Sequence, residues 1–104
     1  MTLAAEVRSL VRDTLPLGGC SVEEVAHYLG VDRRTVHRHL AGNGETFSSL
    51  MDEVRGELTA SYLEGNELRL AEVAQLLGFS GLSAFSRWHK RHFGFTLTER
   101  RNGK

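Results

Sequence analysis

Apolar residues recur along this chain at intervals of three and four, and no strand-like alternation lasts long, so the pattern predicts helices almost throughout. Leu3, Val7, Leu10 and Val11 form the stripe of a first helix, closed by Pro16 and the Gly18-Gly19 pair. Ser21 stands three residues before Glu24, a capping-box spacing, and opens a helix with Val22, Val25, Ala26 and Leu29 inward. Gly30 ends it. Asp32 is the expected N-cap of the next helix, Arg33 to about Ala41, with Val36 and Leu40 inward. After the Gly42-Asn43-Gly44 break, Phe47, Leu50, Met51, Val54, Leu58 and Tyr62 keep helical spacing over roughly 17 residues, about 25 Å of helix, to Gly65-Asn66. Leu70–Gly78 is a short amphipathic helix, and Ser80 is the expected cap of another that runs to about Phe93. Phe85 and Phe93 lie on its core side and Gly94 stops it. A short last helix is expected near Leu97–Arg101. The fold class is therefore all-α, with about seven helices.

The pattern repeats. EVAHYLG at 24–30 and EVAQLLG at 72–78 share five of seven positions at an offset of 48; past the glycine the offset becomes 49, so the second turn is one residue longer. Each copy is a short helix, a glycine turn and a second helix. A small alanine lets the second helix cross closely, and glycine accepts the positive φ of a sharp turn. These are features of a helix-turn-helix, although a single copy also fits a plain αα-hairpin. Duplication, with a basic and acid-free second helix in each copy, favours DNA binding.

The 13 basic and 13 acidic residues cancel to a net charge of zero, which by itself argues against a nucleic-acid partner. Their distribution changes that reading. Residues 33–39 hold Arg33, Arg34 and Arg38 without an acid, and 81–93 hold Arg87, Lys90 and Arg91 without one. Residues 45–67 hold six acids against Arg55 alone. Such segregation yields separate basic and acidic surfaces. The 104 residues suit one small domain; no apolar run reaches the ~18 residues of a membrane span, and Met1–Arg12 does not resemble a signal peptide. A single cysteine, Cys20, excludes an intrachain disulfide and suits the cytoplasm.

SVEEVAHYLGVDRRTVHRHL resembles the first helix-turn-helix of AraC/XylS regulators, and LAEVAQLLGFSGLSAFSRWHKRHFG the second. The more diagnostic second pattern is carried by Gly78, Phe79, Ser80, Ser83, Phe85, Ser86, Arg87, Phe93 and Gly94. The segment between resembles the family's linker helix. Departures are Cys20 for a common proline, Arg69 for a capping Ser or Thr, His89 and Arg100 for aromatics, and Leu97 for a proline. The resemblance implies one homeodomain-like DNA-binding domain over 1–104: a first helix-turn-helix subdomain at 3–45, a linker helix at 46–64 and a second subdomain at 67–101. Each second helix would enter a major groove, about 34 Å apart, on one asymmetric site. Positions matching base contacts are Arg34, His37 and Arg38; on the second helix Ser83 and Ala84 offer a hydroxyl and a small apolar contact, Arg87 is the strongest base-reading candidate, and Arg33, Ser86, Lys90 and Arg91 read as phosphate contacts. Arginine pairs bidentately with guanine, so the first half should favour guanine. The implied partners are double-stranded DNA and, in most of the family, a sensor domain preceding this unit, some small members standing alone; the acidic linker face, read as solvated, has contact with RNA polymerase or a partner domain as its functional alternative. Val54 and Leu58 of the linker are expected to pack against both halves, and Glu53 and Glu57 to lie on a solvated face.

Other chemistry finds little support. His37 and His39 diverge on a helix; His89 and His92 could share a face but no further ligand completes a metal site, and His89 reads as a partly buried packing residue. Cys20 reads as a spectator, and no nucleophile–base pair can be assembled, so neither a cofactor nor an enzymatic activity is expected. The competing function is a helical protein-interaction module with weak DNA affinity, suggested by the zero net charge.

Overall fold

The computed structural model describes residues 2–18, 20–65 and 67–101; the expectations placed on Gly19 and Asn66 lie outside them. Among the described residues seven α-helices follow one another: α1 (Leu3–Thr14), α2 (Val22–Leu29), α3 (Arg33–Gly42), α4 (Phe47–Glu64), α5 (Leu70–Leu76), α6 (Leu82–Phe93) and α7 (Leu97–Arg101). A 3₁₀ turn, Leu15–Leu17, follows α1, and there is no strand among the described residues. No described helix is long and apolar enough to cross a membrane.

Caps explain most boundaries. The Ser21 hydroxyl accepts from the Glu24 N–H (3.2 Å) while the Glu24 carboxylate accepts from the Ser21 N–H (3.1 Å). Asp32 accepts from the Thr35 N–H at 2.8 Å. Thr46 and Ser49 make the reciprocal pair that opens α4. At α5 the Arg69 side chain offers no acceptor, and only the Glu72 carboxylate reaches back, to the Arg69 N–H, at 2.8 Å. The N-cap of α6 is Gly81 rather than Ser80. The extra residue in the second turn moves the counterpart of Asp32 to position 81, where no side chain is available to cap.

The two turns share their opening geometry. Gly30 and Gly78 have φ of 74° and 84°, and the next residues, Val31 and Phe79, each donate an N–H to the carbonyl of the paired alanine, Ala26 or Ala74, at 3.0 Å. An L-residue with a Cβ is strained at such φ, which is why both turns carry glycine.

Two apolar clusters result. Val7, Val11, Val25, Val36, Leu40, Leu50 and Val54 are among the residues of the first; Leu63, Val73, Leu77, Phe85, Trp88 and Leu97 build the second. Val54 belongs to the first cluster alone, whereas the half-buried Leu58 packs against both. The linker therefore passes from the first core to the second along its length, with Leu58 at the crossing point. The halves also meet directly: a Cβ added at Gly78 would lie 3.3 Å from Leu15 Cδ1.

Candidate nucleic-acid interface

Burying Val36 and Leu40 turns the other side of α3 outward, and Arg33, Arg34, His37 and Arg38 are all exposed there. Arg33 is not free: its Nη1 lies 2.7 Å from the Glu23 carboxylate of α2. The one carboxylate at the start of α3, Asp32, is held below its ordinary pKa by hydrogen bonds from the Thr35 hydroxyl and then the Thr35 N–H, with Arg34 and Arg38 nearby adding to the effect. Arg34, His37 and Arg38 therefore share an outward face with no acid on the same helix.

Phe85, Trp88 and His89 anchor α6 in the second cluster. Ser83, Arg87, Lys90 and Arg91 are then exposed, while Ala84 and Ser86 are half-buried. Lys90 Nζ lies 3.4 Å from the Gly94 carbonyl, near the C-terminus of the helix, where a cation complements the dipole. Each group of candidate residues thus falls on one outward strip of its own helix.

Three acids in and just before the linker face α1. Arg8 of α1 pairs with Glu45 (3.0 Å), Glu53 and Glu57, and Arg12 pairs with Glu57. Glu53 and Glu57 are exposed, as expected, but they are partners of α1 rather than a free solvated face. Exposed pairs of this kind contribute about 0–1 kcal/mol each. Three acids thus meet two arginines in the seam between α1 and α4, and Glu53 and Glu57 line a shallow cavity there with His92 and Phe93 of α6.

His89 is fully buried, not partly. Its Nδ1 lies 3.0 Å from the Phe95 carbonyl, and Arg100 Nε donates to its Nε2 at 2.8 Å. Nδ1 must carry the proton and Nε2 the lone pair, so this arrangement requires a neutral ring. Burial pushes the pKa below the ordinary histidine value, Phe95 opposes, and Arg100 and His92 add to the depression. His92 stacks on Trp88 instead, with centroids 4.7 Å apart. Among the described residues no group of three or more His, Cys, Asp and Glu side chains could hold a metal.

A pH dependence follows. Unfolded His89 takes up its proton as pH falls through about 6.5, and the folded residue does so only at lower pH. The stability from the neutral ring is complete above about 6.5 and is lost as pH falls toward the folded value. Melting between about pH 7.5 and 5.5, above the carboxylate range, should show Tm falling in the wild type and a shallower fall in His89→Phe. Equal slopes would remove His89 as the source.

The sequence reading missed residues that join α4 to the second half. Trp88 Nε1 donates to Asp52 Oδ1 at 3.0 Å, and Arg55 Nε donates to the Leu77 carbonyl at 2.9 Å. The only hint was that Arg55 adjoins Val54 on the apolar stripe.

The family profile described as a helix-turn-helix domain matches residues 8–103. The HTH-type transcriptional regulator VirS of Mycobacterium tuberculosis is 40% identical over 95 residues, covering 91% of this chain and 28% of its own length. The ornithine utilization regulator of Pseudomonas aeruginosa is 37% identical over 73 residues, 70% of this chain and 22% of its own. The chain thus spans under a third of these curated relatives. A crystal structure from Chromobacterium violaceum, described as a transcriptional regulator of the AraC-type DNA-binding domain-containing proteins, superposes with a TM-score of 0.85 at 26% identity, covering 96% of this chain and 89% of that one.

Proposed function

This chain belongs to the AraC-type helix-turn-helix family, and from that premise we propose that it binds one asymmetric duplex site, with α3 and α6 in separate major-groove segments, and so regulates transcription. The observation that carries this reading is the pair of outward, acid-free basic strips on equivalent helices of a duplicated motif. The zero net charge does not favour a protein-interaction module, because DNA would meet the local charge of α3 and α6, which is positive and acid-free on both helices. We assign base reading to Arg34, His37, Arg38, Ser83, Ala84 and Arg87, and phosphate contacts to Ser86, Lys90 and Arg91. Arg33 must exchange its Glu23 partner, or share it, to reach a phosphate. The half-burial of Ala84 limits it to an apolar contact such as a thymine methyl.

The subdivision is 3–45 for the first subdomain, 46–64 for the linker and 67–101 for the second. The greater length of the relatives supports reading the chain as the DNA-binding part of a larger regulator rather than a small stand-alone one; effector response, a cytoplasmic location and RNA polymerase as a further partner are part of the proposal. We assign it no catalytic step.

Selection from random duplexes, followed by affinity measurements on the selected site, tests these roles. Arg38→Ala and Arg87→Ala should each weaken specific binding by about 1–3 kcal/mol and relax base preference in their own half-site. Lys90→Ala should weaken binding to all sequences and lower the salt slope by about 1. Unchanged base preference in both arginine variants would sink the assignment.

A further inference from the structure

Arg55 projects from the middle of α4, half-buried, toward the turn of the second helix-turn-helix. Its Nε donates to the carbonyl of Leu77, the C-cap of α5, at 2.9 Å. A helix C-terminus leaves carbonyls without intrahelical partners and carries partial negative charge, so a buried cation suits that position. The guanidinium carbon also lies 4.7 Å from the centroid of Phe79, within cation–π range. Phe79 in turn packs on Phe85 and Trp88 of α6, at 5.5 and 5.4 Å between centroids. Arg55 thus holds the turn from the α5 side and the α6 side together. The first half closes on the same place: a Cβ at Gly78 would lie 3.5 Å from Arg55 Nη2 and 3.3 Å from Leu15 Cδ1.

Asp52 sits one turn earlier on α4 and accepts from Trp88 Nε1, midway along α6. One polar attachment leaves a body free to swing about it; two attachments fix its direction. Arg55 holds the turn and Asp52 holds the helix, so the orientation of α6 relative to α4 is specified by directional bonds in addition to apolar packing.

We propose that Arg55 is a positioning residue that locks the second recognition helix to the linker helix, and so makes binding intolerant of a change in spacing between the two half-sites. This rests on the DNA-binding reading above. Arg55 touches no DNA in this scheme; it acts through the Leu77 carbonyl and Phe79. Moving one half-site by one base pair displaces it by about 3.4 Å and rotates it by about 35° around the duplex. A locked pair of helices cannot follow both changes.

Two measurements test the lock, both on the full chain with circular dichroism as the check of folding. In the first, spin labels at His39→Cys and Gln75→Cys, in a Cys20→Ser background, report the distance between the halves without DNA. One narrow distribution is expected, and a broader or shifted one in Arg55→Met. In the second, the selected duplex is compared with duplexes carrying one base pair more or fewer between half-sites. The wild type should lose on the order of tenfold or more on the altered duplexes, since one mismatched base pair alone costs about 1–3 kcal/mol. Arg55→Met should bind the original spacing several-fold more weakly, with little change on the altered ones, so the ratio falls toward one. Arg55→Lys, which keeps the charge but loses the Nε donor, is read in the same way if Arg55→Met fails to fold. An unchanged ratio together with an unchanged label distribution overturns the proposal. A wild-type chain that prefers no duplex over random DNA overturns the DNA-binding reading and the spacing role with it, while the label distances still report whether Arg55 fixes the joint.

Discussion

Gly56→Pro should cost about 3 kcal/mol or more of folding stability and should abolish the advantage of specific over nonspecific DNA. Gly56 is buried in the interior of α4, between the two residues of the linker that reach the second half and Leu58, which contacts both clusters. Proline there removes a backbone donor and its ring collides with the carbonyl four residues back, that of Asp52, kinking the axis. The kink falls where the linker passes from the first core to the second. His92 adds a second obstacle, because even a Cβ at Gly56 would lie 2.8 Å from its Nε2. Gly56→Ala is the informative control. It relieves the helix-propensity penalty of glycine, about 1 kcal/mol, against the loss of the His92 stack on Trp88 when the exposed ring turns away. Alanine should therefore be tolerated and proline not. Both affinities are to be measured on matched duplexes at one salt concentration, with circular dichroism confirming helical halves. A folded Gly56→Pro variant with unchanged specific affinity would mean that α4 does not set the geometry between α3 and α6.

The elements whose signals are local or periodic were legible in the sequence. The offset of 48 between the repeats reappears as two turns with the same glycine φ and the same N–H to alanine carbonyl bond. The step to 49 predicts a longer second turn and itself points to Gly81 as the cap of α6, where the preference of serine for N-caps points to Ser80. The short α7 has little apolar content, but Thr96 and Glu99 supply a reciprocal capping box, at 2.7 and 3.0 Å, that starts it firmly, and the T-x-x-E spacing is legible in the sequence. Arg100 of α7 and His89 of α6, two departures from the family pattern, proved to be hydrogen-bonded to each other. Each looked like a loss of aromatic packing when read singly. The ion pairs of Arg8 and Arg12, and the reach of Arg55 and Asp52, join residues 22 to 45 apart in the chain. Such pairings leave no periodic trace, because either partner alone is an ordinary charge on a helix surface. For the candidate DNA contacts, helical spacing sufficed to place residues on an outward strip; it could not reveal that Arg33 already has Glu23 as a partner.

Leu40→Ala and Phe85→Ala should each destabilise the whole chain, by about 2–5 and 3–5 kcal/mol respectively. Both side chains are fully buried, Leu40 in the first cluster and Phe85 in the second, so each truncation leaves a cavity lined by residues that make way only partly. Losses of this size are a large share of the roughly 5–15 kcal/mol that holds a domain folded. The informative readout is Trp88, the one tryptophan of the chain, which lies in the second cluster only. Circular dichroism reports the helices of both halves, while Trp88 fluorescence reports one. If the halves were independent, Leu40→Ala would lower part of the dichroism transition and leave the Trp88 midpoint where it was. Several contacts argue otherwise: Leu58 belongs to both clusters, Leu15 packs at Gly78, and Arg55 and Asp52 bind the linker to the second half. A helix that is common to both cores cannot lose one of them without exposing apolar surface that the other relied on. The two probes should therefore report coincident denaturant transitions in the wild type, and Leu40→Ala should shift the Trp88 midpoint as far as it shifts the dichroism. Separate transitions, with Trp88 indifferent to Leu40→Ala, would show that the second half folds on its own and that the linker joins two bodies without coupling them.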